Sequence, residues 1–284
     1  MSDLNAVTRR AVLSGLAALP AMAAKSRLKI GVTDWNLGKG ANPESVALAA
    51  SIGFEGVEIS FGRPRPDEGR LPADRPETIA AYKAALAKHN IGVAGTCVDA
   101  LHKNCLMNDR LGVRWVSDSI RLSRELGAKT LLLPAFFDCE VKTPALLDST
   151  ASALKEVAGE AERAAVTLGL ENTLSAEENL RIMDKVGSRN LKVYYDAQNA
   201  IRWEHDPFKE IPLLGASRIC QFHIKDNGGY LGEGKVPWDR LLQVIVELGF
   251  AGWANLETSN PSKDVPADMR RNLAYVRRLM KRKA

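Results

Sequence analysis

The chemistry that this sequence offers most openly lies in its second half, where Glu171, Asp196, His223 and Glu257 each close a short apolar-rich run. Three carboxylates and an imidazole brought to one place cannot all stay charged and unpaired, because like charges a few ångströms apart repel strongly once water is excluded. A divalent cation resolves that conflict. Oxygen-rich ligands with one nitrogen suit manganese first, with magnesium, cobalt, iron or zinc as alternatives. Taken singly, each residue has a plainer reading as a capping or salt-bridging side chain, or, for the histidine, as a core residue. The recurrence of four such groups at equivalent places is what favours one bound metal ion.

The elements that would gather them repeat one phrase from Leu28 onward: a short β-branched run, a polar or glycine-containing loop, then an amphipathic stretch. Strands are expected at Lys29–Thr33, Gly56–Ser60, Gly92–Cys97, Thr130–Pro134, Thr167–Glu171, Lys192–Asp196, Arg218–Ile224 and Trp253–Glu257. Helical patterns lie between them, among them Pro76–Asn90, Asp109–Leu126, Ala145–Ala165, Ala176–Val186 and Asp206–Leu214. Strict alternation argues for a parallel sheet with helical crossovers, and eight units in about 250 residues match a single (β/α)8 TIM barrel. A doubly wound open sheet fits less well, since no GxGxxG follows the first strand. In a barrel, working residues collect at the C-terminal strand ends. Those ends offer Trp35 beside Asp34, then Glu58, then Asp99 with His102, and Lys225 two positions past His223. Trp35, Phe61, Phe136, Phe137, Trp203 and Tyr230 also fall just past strand ends, where rings can pack on the C–H faces of a sugar.

Longer stretches carry a resemblance. Gly169-Leu170-Glu171-Asn172, Tyr195-Asp196-Ala197-Gln198-Asn199, Phe222-His223-Ile224-Lys225-Asp226, the segment from Gly232 to Trp238, and Asn255-Leu256-Glu257-Thr258 together resemble the xylose-isomerase-like sugar phosphate isomerase/epimerase superfamily. The resemblance implies a sugar-like small-molecule substrate and assigns Glu171 and Glu257 two tasks, metal ligation and acid/base catalysis. Epimerising a carbon beside a carbonyl needs proton removal on one face and return on the other, so two flanking bases are wanted. The metal would acidify that C–H and steady the enediolate. The resemblance also implies that Glu177 binds substrate. Asn199 and Gly229 stand where tagatose-type epimerases carry a histidine and an arginine; Asn199 can still donate a hydrogen bond to substrate, and Lys225 is the nearest candidate cation. His102 lies on a loop from which it can reach the same substrate.

Alternatives from the same chemistry are a metal-dependent lyase or dehydratase on a keto-polyol or 3-keto-glycoside, which would expel a β-leaving group from the enediolate, and a sugar-binding barrel without turnover. A multinuclear nuclease centre is disfavoured by a chain with four histidines. The net charge of +5 sits largely in Arg9, Arg10 and the last helix, with no aromatic interleaving, so no nucleic-acid partner is expected. A homo-oligomer is compatible with the sequence.

The first 24 residues read as a twin-arginine signal, with Thr8-Arg9-Arg10 before an apolar run and the small-residue site Ala21-Met22-Ala23, leaving residues 25–284 as the barrel domain. The run is too short for stable membrane insertion. Export to a periplasmic, oxidising space is expected, and Cys105 and Cys139, in neighbouring loops, could then bridge. The seventh loop has glycines but adds Asp226 and no arginine, so the substrate is expected to be unphosphorylated.

Overall fold

The computed structural model describes residues 28–65, 68–226 and 228–281, so the expected export segment at 1–24 lies outside the described residues. The apolar runs form β1 (Lys29–Thr33), β2 (Gly56–Ser60), β3 (Gly92–Cys97), β4 (Thr130–Pro134), β5 (Thr167–Glu171), β6 (Leu191–Asp196), β7 (Ile219–Ile224) and β8 (Trp253–Leu256). They pair in parallel in chain order, and β8 closes onto β1 through the register Lys29 with Trp253 to Val32 with Leu256. The result is the closed (β/α)8 barrel expected from the alternation. Strands β2 and β4 are buried at every position, as parallel strands covered by helices must be.

The outer layer is α1 (Glu44–Ile52), α2 (Pro76–His89), α3 (Arg110–Leu126), α4 (Pro144–Ala164), α5 (Ala176–Val186), α6 (Ala197–Arg202), α7 (Pro207–Arg218), α8 (Trp238–Glu247) and α9 (Val265–Lys281). On α3, Val113, Val116, Ile120 and Ser123 recur on one buried face, while Asp109 caps its start by accepting from Leu111 N. Gly215 has non-helical angles within α7, so regular helix stops near the boundary expected at Leu214. Helix α6 was not expected; six residues are too few for a periodic pattern to show.

Two strands carry an extra residue. In the β2–β3 ladder the pairing jumps from Val57 with Val93 to Glu58 with Gly95, skipping Ala94. In the β6–β7 ladder it jumps from Val193 with Ile219 to Tyr194 with Gln221, skipping Cys220. Such bulges re-aim the side chains beyond them. Beside the two bulges a polar layer meets inside the barrel: the Tyr194 hydroxyl donates to Glu58 Oε2 at 2.8 Å, and Asn255 Nδ2 donates to the same oxygen at 2.9 Å. Gly31 gives this polar layer its room, because a Cβ there would stand 2.1 Å from Asn255 Oδ1. No helix among the described residues is long and apolar enough to cross a membrane.

Candidate metal centre and its mouth

Glu171 ends β5, Asp196 ends β6, His223 lies near the end of β7 and Glu257 follows β8 directly. Neighbouring parallel strands that end at a common barrel rim bring the four together, each offering one ligand atom within 4.8 Å of the others. The imidazole is fully buried, with Nδ1 3.0 Å from Glu171 Oε1 and 3.3 Å from Glu257 Oε2. Its other nitrogen, Nε2, lies 3.1 Å from Glu58 Oε2, on the barrel side. Glu58 thus sits behind the histidine and does not line the mouth.

Every other expected ligand is also held by a neighbour. Asp196 caps α6, its Oδ1 accepting from Gln198 N at 2.8 Å and Asn199 N at 3.0 Å. Its Oδ2 lies 2.7 Å from Lys225 Nζ, which also donates to Glu257 Oε2 at 2.8 Å. Trp35 Nε1 donates to Glu257 Oε1 at 3.0 Å, and Asn199 Nδ2 to Glu171 Oε1 at 3.3 Å. Trp238 Nε1 in turn donates to the Lys225 carbonyl at 2.8 Å, fixing the backbone from which the ammonium reaches.

The electrostatics call for a cation. Burial alone would push the His223 imidazole down, yet Glu257, Glu171 and Glu58 together hold it well above its ordinary value. Burial raises Glu171, while Glu257 is held down because the charges of His223 and Lys225 and the bond from Trp35 outweigh its burial. Three carboxylates around one imidazole, with positive charge drawn in from a lysine, are the donor set that a hard divalent ion takes. The Glu58 contact with Nε2 leaves Nδ1 facing the carboxylates, the arrangement by which a ligating histidine is commonly oriented. The residues present therefore fit a metal ion.

Above the cluster opens a cavity of about 440 Å³, within the range of small-molecule sites. Glu171 and Glu257 reach into it, with Trp35, Lys225, Asn199 and His102 on its walls. Glu177 stands apart: the capping box between Ser175 and Glu178 starts α5 and leaves Glu177 exposed on its first turn. Of the aromatic residues, Phe136, Phe137 and Trp203 line the cavity beside Trp35. Phe61 is fully buried, and Tyr230 donates to Asp268 at 2.7 Å with the Arg271 guanidinium 3.6 Å from its ring centre. Asp34 anchors loops, accepting from Ser60 N and Ala41 N at 3.0 and 3.1 Å. Arg63 and Arg202 also line the cavity. Sequence reading missed both, since neither closes a strand; the signal available was a cation in the connection that follows β2, for Arg63, or β6, for Arg202.

The loops after β3 and β4 are joined by a disulfide between Cys105 and Cys139, whose Cα atoms are 4.9 Å apart. Cys97 and Cys220 are free.

The family described as xylose isomerase-like TIM barrel matches residues 46–279. A 2-epi-5-epi-valiolone 7-phosphate 2-epimerase of Actinoplanes sp. is 25% identical over 199 residues, covering 70% of this chain and 72% of its own length. Hydroxypyruvate isomerase of Escherichia coli is 25% identical over 227 residues, 74% of this chain and 84% of its own. Among solved structures, an L-ribulose 3-epimerase shares the fold with a TM-score of 0.73 over 90% of this chain and 95% of its own, at 20% identity.

Proposed function

Because the chain belongs to the xylose isomerase-like TIM barrel family, we propose that it is a metal-dependent sugar isomerase or epimerase that moves a proton on a carbon beside a carbonyl, through an enediolate. The observation that carries this reading is that both glutamates of the candidate metal cluster also line the mouth cavity. Glu171, Asp196, His223 and Glu257 would hold the ion, with manganese the first choice. Bound there, a divalent cation polarises a substrate carbonyl and acidifies the neighbouring C–H.

The protein's own groups do the rest. Glu171 and Glu257 come from strands three places apart around the ring and can take and return a proton from two sides of a substrate between them. Trp35 and Lys225 fix the orientation of Glu257, and Asn199 that of Glu171. The substrate is a ketose or related sugar derivative without phosphate. In support, Asp226 Oδ1 already accepts from the Lys235 and Val236 amides at 3.1 and 3.4 Å, so the seventh loop directs these donors to its own carboxylate. Residues 25–284 form the working domain, exported on a twin-arginine signal; the Cys105–Cys139 disulfide agrees with an oxidising destination.

The test is exchange of substrate protons with deuterated solvent, followed by NMR on metal-loaded protein. Replacing His223 with Ala or Asp196 with Asn should lower metal content and exchange together. Glu257→Gln, which can still coordinate through its carbonyl oxygen, should lose exchange while keeping part of the metal. Full exchange in Glu257→Gln would overturn the acid/base assignment.

A further inference from the structure

The large hydrophobic side chains exposed among the described residues are Leu111, Leu213, Trp203 and Phe137. The two aromatic ones, Phe137 at 74% exposure and Trp203 at 45%, both line the mouth cavity. Phe137 also has a φ of +58°. A left-handed backbone is unfavourable for a non-glycine residue, whose Cβ crowds the following carbonyl oxygen. An exposed ring and an unfavourable backbone at one residue both work against the folded state, which points to a role outside folding.

The surroundings of Phe137 are built for a ring. His102 lies stacked toward Phe136, with centroids 6.4 Å apart and 26° between planes, and 5.8 Å from the ring of Phe137. The Cys105–Cys139 disulfide ties together the two loops that carry these three residues. Trp203, at the end of α6, adds a ring from the loop after β6. The same cavity is also lined by the polar groups of Glu171, Glu257, Lys225 and Asn199, which on the reading above would hold one sugar unit. Cavity and aromatic rim are continuous, so a ligand seated on the carboxylates has a path onto the rings.

We propose that Phe136, Phe137, His102 and Trp203 form a second subsite, which takes a ring joined to the reacting sugar. The substrate is then a glycoside whose reacting sugar keeps a free keto group away from the anomeric carbon, while a further pyranose or an aromatic aglycone packs its flat face on these side chains. The proposal rests on the reading of the mouth as a sugar site and does not depend on which reaction follows.

Calorimetric titration of the metal-loaded full chain tests it, with methyl β-D-glucoside, phenyl β-D-glucoside and cellobiose as probes. At least one ring-extended probe should bind about tenfold or more tightly than the methyl glucoside, a difference of about 1.4 kcal/mol. A preference for the phenyl glucoside assigns the subsite to an aromatic aglycone, and a preference for cellobiose to a sugar. In Phe137→Ala and Trp203→Ala the ratio should fall below about threefold, whereas Leu213→Ala should keep it. Equal binding of all three probes, no binding of any, or an unchanged ratio in both aromatic variants overturns the proposal. So does a change of oligomeric state in those variants by analytical ultracentrifugation, which would assign the rings to a subunit contact. A wild-type protein that shows the preference but no proton exchange loses the assigned reaction and keeps the subsite.

Discussion

Glu58 Oε2 lies 3.1 Å from His223 Nε2 and accepts at the same time from Tyr194 and Asn255, so one buried carboxylate oxygen collects three groups from three strands. Glu58 is therefore a positioning residue that sets which nitrogen of His223 faces the other ligands. Glu58→Gln should lower metal affinity about tenfold to a hundredfold with the far-ultraviolet circular dichroism unchanged. Competition titration with a metal chelator measures it, and wild-type affinity would show that packing alone orients the ring.

Gly31→Ala should destabilise the protein by about 1–3 kcal/mol, the usual cost of overpacking. The added Cβ would fall 2.1 Å from Asn255 Oδ1 and 2.9 Å from the Ala94 Cβ, and Asn255 is the amide that donates to Glu58. Urea unfolding and metal titration of the same variant should therefore both shift. A change in stability alone would separate Asn255 from the metal site.

These two expectations mark what the sequence conceals. The four candidate ligands could be read because each closes a strand whose apolar run is visible, and closure of the barrel then makes strand ends converge. Glu58 also lies in a strand and was expected to touch substrate. Its place along the strand gives no clue to whether it stands above or below the imidazole, which depends on the stagger of strands around the closed barrel. Glu177 is implied at the substrate by the resemblance alone, but the Ser175–Glu178 capping box starts α5 there and Glu177 stands exposed on its first turn. The same holds for Asp196, whose second task, capping the six-residue α6, leaves no periodic trace.

Stability should depend on pH through Asp99. Its burial raises the carboxyl to about 6, against opposing bonds from the Gly62 and Asp99 amides. The folded protein then holds a proton that the unfolded chain releases, so stability falls as pH rises from the ordinary carboxylate range through about 6. Asp99→Asn should match wild type near pH 4 and exceed it at pH 7.5 by about 2–3 kcal/mol. Thermal unfolding across that range checks it; a gap that does not change with pH would rule out the titration.

Removing the disulfide by replacing Cys105 and Cys139 with serine should cost about 2–4 kcal/mol, as expected for a bridge with a sequence separation of 34. Guanidinium unfolding of the variant against the oxidised wild type measures the loss. Equal midpoints would mean that the two loops hold together without the bond.

A phosphorylated sugar should gain no advantage over its unphosphorylated counterpart. Paired measurements of kcat/KM decide this, and a preference for the phosphate ester of more than about tenfold would contradict the reading of the seventh loop.

Cys220 is the residue that the β6 ladder skips, and beyond it the pairing resumes on both sides of β7: Gln221 with Tyr194 and Trp253, His223 with Asp196 and Asn255. Paired residues on neighbouring parallel strands face the same side of a sheet, so the neighbours, and not the count along β7, fix where the imidazole points. The bulge thus works as a slack link in a chain whose two ends are pinned. Taking Cys220 out would leave an ordinary ladder, with Gln221 and His223 still facing the barrel axis. A length change at this one point of β7 should therefore be absorbed without loss of the ligand.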